Sequence, residues 1–333
     1  MSNIQGNFPK TRLRRNRMKD FSRRLVAENN LSTNDLILPL FVCEGNNIED
    51  PIHSMPGASR YSIDKLLYKV EEAVKLSIPA IAIFPQIETS LKNKEGSLAF
   101  DENNLVCRSI KSIKKEFSGI GIICDVALDP FTDHGHDGLV IDNKIDNDRT
   151  LEVLEKQALV QAQAGCDVIA PSDMMDGRIG RIRTVLDNNN FQDTLILSYA
   201  AKYASGFYGP FRDGVGSTQK EGIDKSSYQL DSANSDDALR QIEGDLKDGA
   251  DMIMIKPGLT YLDIISQTKD KYNVPIVAYN VSGEYSMIKN GIKSKIFNEN
   301  ILKEIMISFK RAGASAIVSY FAIEYIEKFL NQK

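Results

Sequence analysis

There is no tryptophan in this chain of 333 residues, and there are only three histidines and four cysteines. Cys43, Cys107, Cys124 and Cys166 lie far apart without a CxxC pair, so neither a zinc knuckle nor a disulfide framework is indicated. Cysteines beside apolar runs read instead as small core residues. No apolar run approaches the ~20 residues of a membrane span. The first residues, "MSNIQGNFPKTRLRRNRMKDFSRR", are basic but lack the apolar centre of a secretory signal, so a cytoplasmic protein is expected. An excess of positive charge is missing too: 41 Lys and Arg against 45 Asp and Glu give a net charge of −4. That balance argues against a dedicated nucleic-acid binder.

What is present is a rhythm. Apolar runs occur at 36–43, 79–85, 119–129, 167–173, 194–202, 251–257, 275–283 and 315–322. Each is continuous rather than alternating, as expected of strands buried on both faces of a parallel sheet. Amphipathic segments separate them. In 62–77, apolar residues recur at 63, 66, 67, 70, 73, 74 and 76, one helical stripe with Ser62 as the expected N-cap. The segment 148–165 has Asp148 to cap it and Gly165 to end it, and 235–250 and 298–314 follow the same form. Eight alternations predict an α/β fold, a (β/α)8 TIM barrel. A doubly wound open sheet is the competitor, disfavoured because no GxGxxG follows the first strand.

Two segments stand outside the rhythm. Residues 1–30 carry Arg12, Arg14, Arg15, Arg17, Arg23 and Arg24, read as an N-terminal arm that is either solvated or docked on a neighbouring subunit, with 31–333 as the barrel domain. Residues 203–230 hold five glycines and no helical period, and they follow the fifth strand. So long a stretch inside a compact domain reads as an active-site lid.

Residues at the carboxyl ends of barrel strands converge on one site. Here those ends supply Asp125 and Asp129, Ser172 and Asp173, Lys202, Lys256, Ser282 and Tyr320. Lys202 and Lys256 end adjacent strands. Desolvation lowers a lysine pKa, and a second ammonium nearby lowers it further. The neutral amine is the form that attacks a carbonyl to give a Schiff base. A lysine at the barrel rim is otherwise explained by snorkelling or by pairing with a carboxylate. Arg212, Lys220 and Lys225 add anion-binding groups on the lid, though surface charge alone accounts equally well for Lys220. The loop "DVALDPFTDHGHDG", 125–138, reads either as a polar turn or as hard-oxygen ligands suited to Mg²⁺.

The motifs "SYAAKYASGFYGPFRD" (198–213), "MIKPGLTYLDI" (254–264), "YNVSGEYSMIK" (279–289) and "APSDMMDGR" (170–178) closely resemble the delta-aminolevulinic acid dehydratases, or porphobilinogen synthases. The resemblance runs from about Arg14 to the final helix. It implies a TIM-barrel enzyme of tetrapyrrole biosynthesis that condenses two molecules of 5-aminolevulinate to porphobilinogen. It further implies Schiff bases on Lys256 for the propionate-side substrate and on Lys202 for the acetate-side one. Arg212 and Lys225, with Gln229 beside them, match the acetate-side carboxylate clamp. Ser282 and Tyr320 match the propionate-side clamp, and Asp125 and Ser172 match polar residues lining the site. A homo-octamer in which the arm embraces a neighbour is implied as well.

Departures from the family bear on metal. Zinc-using members place three cysteines where this chain has Ala127, Asp129 and Asp137, so no zinc is expected and Mg²⁺ is the activator that the zinc-independent branch suggests. That branch places a glutamate ligand of an allosteric Mg²⁺ where Gln241 stands here; Glu243 is two positions away, on another helix face. Asn280 stands where Gln is more usual. The rival readings are another Schiff-base lyase or aldolase barrel, which would need one imine-forming lysine, and a non-catalytic RNA-binding or chaperone scaffold using the arm.

Overall fold

A computed structural model describes residues 6–217 and 223–331. Eight parallel strands form a closed barrel: β1 Leu36–Val42, β2 Ala80–Pro85, β3 Gly121–Val126, β4 Val168–Pro171, β5 Leu195–Lys202, β6 Met252–Lys256, β7 Ile276–Asn280 and β8 Ala316–Ser319. Each pairs with the next, and β8 closes on β1 through Leu36 opposite Ile317 and Ile37 opposite Val318. The continuous apolar runs are explained by this geometry, since helices cover the outer face and side chains fill the inner one. All of β1 is buried, as is β5 after Leu195. The four cysteines are buried and unpaired.

The helices follow their stripes. Ile63–Lys75 buries Leu66, Val70 and Ala73. Ser62 precedes it without capping it, because its hydroxyl accepts the Ile48 N–H at 2.8 Å and bonds Asp64 at 2.6 Å. The helix Asn147–Ala164 is capped by Asp146, whose carboxylate accepts the Arg149 N–H at 3.0 Å, and the expected cap Asp148 lies in the first turn. Gly165, Gly249 and Gly313 adopt φ of +104°, +99° and +118°, the left-handed turn that releases each helix toward the next strand.

The segment 203–230, expected to lack a helix, departs from that expectation. It contains a helix, Gly209–Val215, flanked by single turns at Gly206–Tyr208 and Lys225–Ser227. Two glycines and a proline concealed it, since propensity there is poor. Tertiary packing decides instead: a Cβ on Gly214 would fall 2.7 Å from the Phe41 ring, so glycine lets the helix lie directly on β1. Lys220 lies outside the described residues. Within the arm, Leu13–Arg17 and Asp20–Leu25 are helical and bury no residue.

Candidate active site

A one-residue irregularity in β5 aligns the two lysines. Ile253 pairs with Ser198, but Ile255 pairs with Ala201 and Lys256 with Lys202. Without that bulge Lys256 would face Ala201, and the amines would diverge by a strand position. Both lysines are 5% exposed. They line one small cavity at the carboxyl ends of the strands with Asp125, Asp129, Asp137 and Ser172, and with Arg212, Lys225 and Gln229 from the lid.

The two amines have opposite surroundings. Lys256 Nζ sits in an aromatic cage, 5.1 Å from the Tyr199 ring centre, 5.3 Å from Tyr208, 5.0 Å from Phe211 and 4.7 Å from Tyr279. Desolvation, then the Lys202 charge, brings its pKa down to about 7. Lys202 instead donates to Asp137 Oδ1 at 3.0 Å and to the Ser172 carbonyl. Burial alone would lower its pKa, but Asp137, Asp129 and Asp125 outweigh burial and raise it. The sequence expectation of two depressed lysines therefore holds for Lys256 and is corrected for Lys202, which is an ammonium.

Asp137 is the hub that sequence reasoning did not assign to the chemistry. Its Oδ2 accepts from Lys225 Nζ at 2.7 Å and from the Tyr228 hydroxyl at 2.7 Å. Despite burial, the two ammonium groups hold it far below the ordinary carboxylate range. Asp125 behaves in the contrary sense: desolvation raises it to about 6 against the pull of Lys202 and Lys256. One of its oxygens is buried with no hydrogen-bond partner. Its backbone is fixed by Gln161, whose side chain donates to the Asp125 carbonyl at 2.9 Å. Behind Ser172, buried Asp173 and Asp245 flank Arg178 at 3.7 and 3.1 Å.

Ser282 and Tyr320 are not in the lining of the lysine cavity. The Ser282 hydroxyl accepts the Phe211 N–H at 2.8 Å and donates to the Phe207 carbonyl at 3.3 Å, so lid backbone covers it. Tyr320 bonds the Tyr279 hydroxyl at 3.2 Å and stacks on Phe41. The lysine cavity measures about 20 Å³, room for about one water.

Ala127, Asp129 and Asp137 provide no thiolate, and both oxygens of Asp137 are committed to cations and a phenol. These positions therefore offer a zinc ion no thiolate. Gln241 turns its amide onto Asp245 Oδ1 at 2.7 Å, a donor where a cation would require an acceptor. Among the described residues no group of three or more His, Cys, Asp or Glu side chains is disposed to hold a metal.

Fold and site together define a (β/α)8 barrel with paired, buried lysines at the carboxyl ends of its strands. Residues 10–328 match the sequence profile of delta-aminolevulinic acid dehydratase. The delta-aminolevulinic acid dehydratase of Bradyrhizobium diazoefficiens is 53% identical over 96% of this chain and 91% of its own length. That of Methanothermus sociabilis is 48% identical over 96% and 99%. The Toxoplasma gondii delta-aminolevulinic acid dehydratase (porphobilinogen synthase), crystallised with the reaction product porphobilinogen, superposes with a TM-score of 0.95 at 44% identity, covering 97% of this chain and 92% of that one. The chain belongs to the delta-aminolevulinic acid dehydratase family.

Proposed function

We propose that this chain is a porphobilinogen synthase, a hydro-lyase that condenses two molecules of 5-aminolevulinate into porphobilinogen with release of two waters. The observation that carries the reading is the pairing of Lys202 with Lys256 at the catalytic end of the barrel. An aldolase-type barrel would use one such amine and leave the second, with its own anion-binding groups, without a role.

Lys256 is available as a neutral amine near neutral pH and attacks the ketone of the propionate-side substrate, losing water to form an imine. Lys202 does the same for the acetate-side substrate once its ammonium gives up a proton. Asp125, raised to about 6 by burial and with one oxygen free of hydrogen bonds in the cavity it shares with the two lysines, is suited to accept and return protons. Arg212 and Lys225 hold the acetate-side carboxylate, with Gln229 beside them. Ser282 and Tyr320 hold the other carboxylate, and Ser172 lines the pocket. Holding both molecules makes their union intramolecular, an effect worth roughly 7–11 kcal/mol in favourable cases. Since the cavity has space for about one water, the residues that line it from the lid, Tyr208, Phe211, Arg212, Lys225 and Gln229, move aside for entry and return to keep water from the imines.

Borohydride reduction in the presence of 5-aminolevulinate, followed by peptide mass mapping, tests the reading. Adducts on Lys256 and Lys202 are expected, and adducts on neither would defeat it. Arg212→Ala is expected to raise KM by about 10–100-fold, the loss of one charge-assisted hydrogen-bonding group, with a smaller change in kcat. An unchanged KM would remove Arg212 from the clamp.

Phe8, Leu13 and Leu25 on the arm are 75%, 74% and 80% exposed. Such apolar exposure supports packing against a second copy of the chain, as in the implied homo-octamer. A sedimentation profile showing monomer alone would overturn this.

A further inference from the structure

Glu284 is completely buried and does not line the lysine cavity. A buried carboxylate is costly unless its oxygens are hydrogen-bonded, so its partners define what it does. Its Oε1 accepts the Leu259 N–H at 2.9 Å, in the turn Leu259–Tyr261 that begins three residues after Lys256. Its Oε2 accepts the Val281 N–H at 3.0 Å and the Asn280 side-chain amide at 3.0 Å. Val281 directly precedes Ser282, and the contact closes the first turn of the helix Ser282–Lys293. The chain of bonds continues. Asn280 Oδ1 accepts from the Ser319 hydroxyl at 2.9 Å, and Ser319 Oγ accepts the Phe321 N–H at 3.1 Å. Ser319 directly precedes Tyr320. Asn280 and Ser319 are, like Glu284, 0% exposed.

One buried polar chain thus crosses the carboxyl ends of β6, β7 and β8. At each end it grips the backbone within three residues of a group assigned to the propionate-side subsite. We propose that Glu284, Asn280 and Ser319 are positioning residues: a strap that fixes the spacing of the Lys256 amine relative to the Ser282 and Tyr320 hydroxyls. The acetate-side group Lys202 is positioned separately, by Asp137 and the Ser172 carbonyl. The strap therefore acts on one subsite and not the other. This inference rests on the reading of the lysines given above.

The distinguishing measurement is borohydride trapping with 5-aminolevulinate at each lysine, together with KM and kcat, on the full-length protein. Ser319→Ala removes one oxygen and breaks the link between Asn280 and the Phe321 N–H, which adjoins Tyr320. Ser319→Thr keeps the hydroxyl. Glu284→Gln turns an N–H donor toward backbone N–H groups and can fail to fold, so Ser319→Ala carries the test on its own. Because displacement of about 1 Å can cost about 100-fold, Ser319→Ala should lower trapping at Lys256 by about tenfold or more and raise KM, with trapping at Lys202 held within about twofold. Ser319→Thr should restore both values. A merely structural role would lower thermal stability and reduce trapping at the two lysines in parallel, and that result, or an unchanged ratio with unchanged KM in a folded Ser319→Ala protein, overturns the strap. Trapping at neither lysine in the unsubstituted protein would overturn the reading of the site and the strap with it, since no subsite would remain for it to set.

Discussion

Replacing Lys256 by methionine should lower kcat by on the order of 10⁴–10⁶, the scale seen when an enzyme loses its covalent nucleophile. Methionine is the informative substitution because its unbranched, polarizable side chain refills the aromatic cage of Tyr199, Tyr208, Phe211 and Tyr279. Packing is then largely kept while the amine is lost. The reason for so large an effect lies in the protonation state. A lysine at its ordinary pKa of 10.5 is neutral in about one molecule in 3,000 at pH 7. With the pKa brought down to about 7 by desolvation and by the Lys202 charge, about half the Lys256 amines are nucleophilic at that pH. The same shift fixes the sign of the pH dependence. The neutral amine is the reactive form, so kcat/KM of the unsubstituted enzyme should rise with pH through an apparent pKa near 7. Steady-state turnover, with borohydride mapping of the residue 256 peptide, checks both expectations. More than about 1% of kcat remaining in a folded Lys256→Met protein would be incompatible with a covalent role.

The strands were legible in the sequence because burial on both faces leaves an unmistakable trace. Runs such as 36–43 and 194–202 contain almost nothing but apolar residues, and their ends name Lys202, Lys256, Ser172 and Asp125 directly. Helix ends were legible where a backbone conformation demanded glycine, at Gly165, Gly249 and Gly313. What stayed hidden depends on contacts between distant segments. The lid helix Gly209–Val215 is set by packing on Phe41, against its local propensity. The bulge that aligns Lys202 with Lys256 has no sequence marker, because no glycine or proline stands in either strand near it. The aromatic cage draws on β5, β7 and the lid, and no single segment shows it. Asp137 lies in a loop of Asp, His and Gly whose composition suits a polar turn. Its role is defined by Lys202 and Lys225, 65 and 88 residues further along.

Asp137→Asn gives the other large effect, on stability. The native carboxylate, 1% exposed, serves two buried ammonium groups at once. Asparagine removes that charge and presents an N–H₂ donor to one of them, leaving Lys202 and Lys225 without their common partner. Breaking a buried ion pair by removing one member costs about 3–5 kcal/mol, and a loss of that size in urea unfolding at neutral pH is expected. Since the folded pKa of Asp137 is held below its unfolded value of about 3.8, its contribution is complete above that value and is lost as pH falls through the folded pKa. The stability gap between the unsubstituted protein and Asp137→Asn should therefore be level across neutral and mildly acidic pH and begin to close only below about pH 4. A second consequence separates the two amines. Asp137 heads the charges that raise the Lys202 pKa against desolvation, while for Lys256 it is the last of the carboxylates acting. In Asp137→Asn, the pH dependence of borohydride trapping should move to lower pH at Lys202 by about 1–3 pH units and move less at Lys256. Equal movement at both lysines, or none at either, would show that Asp137 does not hold the two amines in opposite protonation states.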